Sequence, residues 1–300
     1  MSPSASAKYS GNYLRAVWWA LLLGALAALV PVQNRIDGVR GLYGPIEDVL
    51  YMPSGRIIGE LSLGNEGLLA DIYWTRVVQY FGRKRLAKDV RLDLLGPLLR
   101  ITTELDPHLL IAYRFGAVFL SAKPPEGAGH PEKALELLRR GIVANPDYWR
   151  LWQDLGFVYY WDLKEYAQAV KAFRVGSQQP GAQVWMKAIA AMVATKGGDP
   201  ETSKLLWTQI YHSAQNDQMR ENALEHLAAL TAHQQLGYLD DLLDRFRARE
   251  GRPAHSLRDL VKAGLLRGIP VDPGGVPYVI GKDGRAALGP QSNVKLRLLL

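Results

Sequence analysis

The residues that could do chemistry are thinly spread. Six histidines, His108, His130, His212, His226, His233 and His255, are the only candidate imidazole ligands. A helical metal site needs two of them four apart on one face, and Glu225-His226 with His233 misses that spacing. There is no cysteine, which removes disulfides, thiolate ligands, a cysteine nucleophile and an acylated N-terminal cysteine, and leaves the redox compartment open. Asp240, Asp241 and Asp244 could serve acid–base chemistry only inside a cleft that shifts their pKa. Set among Leu239, Leu242, Leu243 and Phe246 and beside Arg245, Arg247 and Arg249, they read as the solvated face of an amphipathic helix. His255, Asp259, Asp272 and Asp283 show no pairing that spacing alone makes credible.

No glycine-rich phosphate loop follows a strand; Gly197-Gly198 and Gly274-Gly275 suit turns instead. Ser54 and Ser256 lack the context of a nucleophile elbow. The densest basic stretch, Arg83, Lys84, Arg85, Lys88 and Arg91, could meet anionic lipid or an acidic partner. Without interleaved stacking aromatics it reads more simply as a solvated inter-helix loop and first helical turn. The expectation is therefore a non-enzyme with no cofactor, no metal, no nucleic-acid partner and no small-molecule substrate.

The elements that carry these residues divide the chain. Its 300 residues are 48% hydrophobic and 22% charged, with a net charge of +7, which suits a folded chain with a mild basic surplus. After a tail over 1–12, residues 16–32 form an uncharged run. As a helix it rises about 26 Å against a hydrocarbon core of about 30 Å. Tyr13, Trp18 and Trp19 would lie at the membrane–water interface, and Pro31 ends the helix. The length favours a retained single-pass anchor over 13–32 in a cytoplasmic (inner) membrane. Ala25-Leu26-Ala27 keeps a cleaved signal peptide open as the alternative; a buried globular helix fits least, because no polar face breaks the run. Lys8 and Arg15 against Arg35 and Arg40 give a slight basic bias that places the body outside the cytoplasm. Residues 33–65, rich in Gly and Pro, read as a connector.

From Leu68 the period is helical. Leu69, Ile72, Tyr73, Val77, Tyr80 and Phe81 form one stripe, and Leu92, Leu95, Leu98, Leu99 and Leu105 a second, with Pro97 near the start of the second helix. Ala112, Phe115, Gly116 and Phe119, then Ala134, Leu138 and Gly141, make the next pair, closing at Pro146. The clearest unit follows: Trp152, Leu155, Gly156 and Tyr159, then Ala169, Phe173 and Gly176, closing at Pro180, 34 residues after Pro146. A weaker pair starts at Val184, and a last one spans about 218–233 and 236–249.

This pattern resembles the tetratricopeptide repeat (TPR) family, with a period of about 34 residues. The resemblance covers 66–250 and is clearest in 109–146 and 149–181. It implies a mainly α fold, an α-solenoid of helical hairpins whose concave side binds other chains. Arg150, Gln153, Phe157, Tyr160 and Trp161 hold first-helix places that face the groove in that family, and Tyr113 and Leu120 the equivalent places one unit earlier. Tyr160 and Trp161 can equally pack against the neighbouring unit.

Residues 251–300 change texture. A short helix begins at Ser256, and Asp283-Gly284 between apolar stretches signals a hairpin. Residues 270–278, PVDPGGVPY, are similar to a P-x-D-P-x-G-x-P-Y stretch near the C-terminus of major pseudopilins, although no pilin-type leader is present. The combined expectation is a membrane-tethered TPR adaptor that holds a partner protein in a bacterial-type envelope assembly, whether secretion, pilus or surface-polymer machinery. An accessory subunit of an envelope-polymer enzyme and a soluble chaperone-type adaptor are the alternatives.

Overall fold

Apolar residues at helical spacing, punctuated by Pro and Gly, build a mainly helical chain in the computed structural model, which describes residues 17–25, 27–31, 34–35 and 54–299. It divides into two units, 1–54 and 55–300. In the first, 17–25 and 27–31 are helical and their side chains are exposed, Trp18 and Trp19 included. Residues 13–16, 26 and 32 of the expected anchor lie outside the described residues, as do 1–12 and 36–53. Among the described residues no helix is long and apolar enough to cross a membrane.

The second unit opens with a correction. The expected connector contains a helix, α1 (Gly55–Leu61), which packs on α3 (Leu95–Leu105). The Gly55 amide donates to the Glu104 carboxylate at 2.9 Å, a tertiary bond that no local periodicity could signal. Between them lies α2 (Glu66–Leu86), whose stripe of Ala70, Val77, Tyr80 and Phe81 is buried. Of the basic stretch, Arg83, Lys84 and Arg85 form the last turn of α2, where cations offset the helix dipole, and Lys88 and Arg91 follow in the loop; Lys84 pairs with Asp89 at 2.9 Å.

The helices that follow are α4 (Leu110–Ser121), α5 (Pro131–Ala144), α6 (Trp149–Phe157), α7 (Tyr166–Gly176), α8 (Trp185–Lys196), α9 (Pro200–Ser213) and α10 (Asp217–Glu250). They pack in sequence order: α2 on α3, α4 on α5, α6 on α7, α8 on α9. Glycine sets how closely they approach. A Cβ on Gly141 would stand 2.7 Å from the Tyr113 ring, and one on Gly156 would stand 2.6 Å from the Phe173 ring. Each aromatic ring therefore lies where the facing helix has no side chain. Successive turns are also tied, because Asn145 Nδ2 donates to the Pro107 carbonyl at 2.9 Å.

The last pair differs from expectation. A single α10 of 34 residues replaces the two helices anticipated over 218–249. Asn216 caps its start by accepting from the Met219 amide at 2.8 Å, and Gly251 ends it with φ 69°. Between them Gly237 is the lone glycine, at a cost of about 1 kcal/mol, and packing elsewhere along the helix offsets that. The first half of α10 lies on α9 and also meets the end of the C-terminal module, where Lys295 pairs with Glu225; the second half carries the rest of that module. Leu239, Leu242, Leu243 and Phe246 form a core there with Leu257 and Leu260 of α11 (Leu257–Lys262) and with Tyr278. A two-stranded antiparallel sheet, β1 (Val279–Ile280) with β2 (Ala286–Ala287), turns through Asp283-Gly284 as expected, and a 3₁₀ turn, Leu296–Leu299, follows.

Candidate functional site

The first members of the helix pairs touch one another side by side. Phe119 of α4 stacks on Phe81 of α2 with ring centroids 4.0 Å apart. Arg114 of α4 donates Nε to Asp154 of α6 at 2.7 Å. Trp149 at the start of α6 meets Trp185 at the start of α8 edge-on at 5.9 Å, and Lys196 at the end of α8 lies 5.5 Å over the Tyr160 ring beyond the end of α6. Start meets start and end meets end, so α6 and α8 run parallel.

These flanking contacts define what faces outward between them. On α4, Ala112, Gly116, Ala117 and Leu120 face the core, Phe119 turns toward α2, and Arg114 toward α6. Ile111, Phe115 and Val118, spaced i, i+4, i+7, are left on one open face. Phe115 is 51% exposed and Val118 57%. Trp161, in the turn after α6, is 57% exposed as well and stacks on Phe157 at 4.3 Å and 7°. Val78 on α2 and Trp185 and Met192 on α8 are exposed as well.

The sequence-expected site residues divide. Arg150 is exposed and lies 4.6 Å over the Trp149 ring, Gln153 is half-buried, and Tyr160 sits between Trp161 and Tyr166. Phe157 reaches inward as well as outward, meeting Phe173 edge-on at 5.1 Å. Tyr113 and Leu120 require correction. They are 2% and 3% exposed, so neither presents a surface to an incoming chain. Tyr113 fills the space over Gly141, and Leu120 lies on the core stripe with Ala112 and Gly116. Phe115 is the opposite case, read as core and found exposed. The overlooked signal was that α4 is apolar all round, with Arg114 its lone charge; such a helix has a second apolar face to cover.

A π-helical turn, Val158–Leu163, extends α6 and closes at Lys164 in the left-handed region, φ 59°. Its widened backbone carries Tyr159 inward, where Arg139 donates to the phenol at 2.6 Å, while Trp161 stays outside. Burial pushes the Asp154 carboxyl above its ordinary value, with the Arg114 guanidinium opposing it. Burial also raises Asp162, opposed by the Ser121 hydroxyl.

The C-terminal polar residues are occupied structurally. Asp272 is almost fully buried and accepts from Gly274 and Val276 amides at 2.8 and 2.9 Å and from the Ser292 hydroxyl. Burial pushes its carboxyl up, but those donors outweigh burial and hold it below the usual range. Asp259 accepts from the His255 amide at 2.9 Å at the start of α11, and Asp283 from the Arg285 amide at 3.1 Å. Asp240 takes the Ala286 amide at 2.7 Å, and Asp244 pairs with Arg285 at 2.9 Å. Among the described residues no cluster of three or more potential ligands could hold a metal ion. No protein-family model, curated protein or solved structure matches the chain.

Proposed function

We propose that the chain is a non-enzymatic docking protein. Its helix pairs are a TPR-like array, and the open face of the first helices binds a segment of a partner protein. The observation that carries this reading is the exposure of large apolar side chains on neighbouring first helices, Phe115 and Val118 of α4 and Trp161 just after α6. Apolar groups of this size remain in water at a cost unless something covers them, and aromatic side chains dominate the energy of interfaces. Arg150 and Lys196, each over an aromatic ring, give the surface a polar rim. The uncharged run over 16–32 supports tethering to a cytoplasmic membrane, with the body outside the cytoplasm. The pseudopilin-like stretch at 270–278 favours envelope secretion or pilus machinery as the setting.

The test is affinity capture with the wild-type chain and with a Phe115→Ser/Trp161→Ala pair. These two positions are chosen because Phe157 also supports Phe173, and its removal would disturb the core. Selective loss of partners from a variant that keeps its helicity is the expected result. Identical partners for both proteins would refute docking on this face. Carbonate extraction checks the tether: the full chain should stay in the membrane pellet.

A further inference from the structure

A second feature lies on the other members of the helix pairs. A cavity of about 280 Å³ opens between α3 and α5, with Leu120 from α4 at its floor. That is close to twice the roughly 150 Å³ apolar cavity that holds a benzene ring. Leu99, Leu120 and Leu137 make the floor apolar, and all three are buried.

The rim has the opposite character. Lys133 and Arg140, seven residues apart on one face of α5, join Arg100 of α3 around the opening. Glu136 is the one carboxylate among the lining residues, and Arg100 already engages it at 3.2 Å. Three cations thus share a single anion. Arg140 carries a further mark: its Nε is buried and has no hydrogen-bond partner. Among the described residues the buried donors without a partner are this one and the indole N–H groups of Trp152 and Trp207, and of the three only Arg140 lines the cavity.

We propose that this cavity binds a small amphiphilic anion. A carboxylate or phosphate-ester head pairs with Arg140 and Lys133, and a short hydrocarbon tail lies on Pro97 and along the aliphatic stems of Lys133 and Arg140, over the closed floor of Leu99, Leu120 and Leu137. Guanidinium suits either head group, because its fork matches both in bidentate geometry. The site needs no occupant on the aromatic face and stands apart from the docking reading.

Calorimetric titration of the full chain decides it. The probes are hexanoate, hexyl phosphate, hexylamine and inorganic phosphate. One or both six-carbon anions should bind with one-to-one stoichiometry, and the tighter one identifies the head group. Hexylamine, which carries the opposite charge, and inorganic phosphate, which lacks the tail, should bind at least about tenfold more weakly. Arg140→Gln should weaken the anions by about tenfold. Gly96→Trp keeps every charge, and a Cβ there meets nothing within 4 Å, so the variant should fold and block the cavity. Hexylamine binding as tightly as hexanoate would overturn the proposal. So would anion affinity unchanged in both variants, or no anion binding at all.

Discussion

Tyr113 and Phe115 stand two residues apart on α4 and have opposite fates. Tyr113 is sealed over Gly141, so Tyr113→Ala leaves a cavity and should cost about 3–5 kcal/mol in a urea unfolding experiment. Phe115→Ser removes an exposed ring and should shift stability by less than about 1 kcal/mol. Reversed magnitudes would mean that the two faces of α4 have been exchanged. The sequence showed that α4 has aromatic and small residues in helical order. It did not show which aromatic faces inward, because that depends on Gly141 of α5 lying opposite Tyr113. Another residue-scale consequence concerns His226, buried and stacked on Trp207 at 3.9 Å. Burial pushes its imidazole below the ordinary 6.5, with Glu225 opposing. The unfolded chain therefore takes up its proton at higher pH than the folded one, and stability falls as pH drops from about 6.5 toward the lowered native value and levels off below it. Unfolding midpoints across that range should decline for wild type, and His226→Gln should flatten the slope.

At the scale of elements, α4 and α6 are joined by the Arg114–Asp154 pair. A double-mutant cycle with Arg114→Ala and Asp154→Ala should return a coupling of about 1 kcal/mol, since the pair is only partly shielded from water. A value near zero would remove it as a determinant of how the first helices align. Helix pairing was legible because Pro146 and Pro180 close two units 34 residues apart, and the helices keep their 3.6-residue period. The length of α10 was not, because the break expected near 234–235 rested on TPR spacing and no residue there stops a helix. What holds its second half is the module after Glu250, through Leu239, Leu243, Phe246 and Tyr278. Tyr278 also donates to Gln235 at 2.5 Å, and burial, with Asp272 nearby, pushes its phenol up to about 12. Deleting residues 251–300 should therefore raise amide exchange over 236–250 while leaving 110–176 protected. Uniform loss of protection would show that the module supports the whole chain.

For the whole molecule, the parallel first helices matter more than any single side chain. They leave Ile111, Phe115 and Val118 of α4 and Trp161 just after α6 exposed, while the second helices carry their own exposed residues, Val143 and Leu205. A docking surface predicts that these two sets behave differently in the cell. The most direct measurement is photo-crosslinking with a benzophenone amino acid placed singly at positions 115, 161, 143 and 205 of the full chain. Discrete adducts to one partner from 115 and 161, with none from 143 and 205, are the predicted result. Equal adducts from all four positions, or adducts from 143 and 205 alone, would contradict partner docking on the first-helix face.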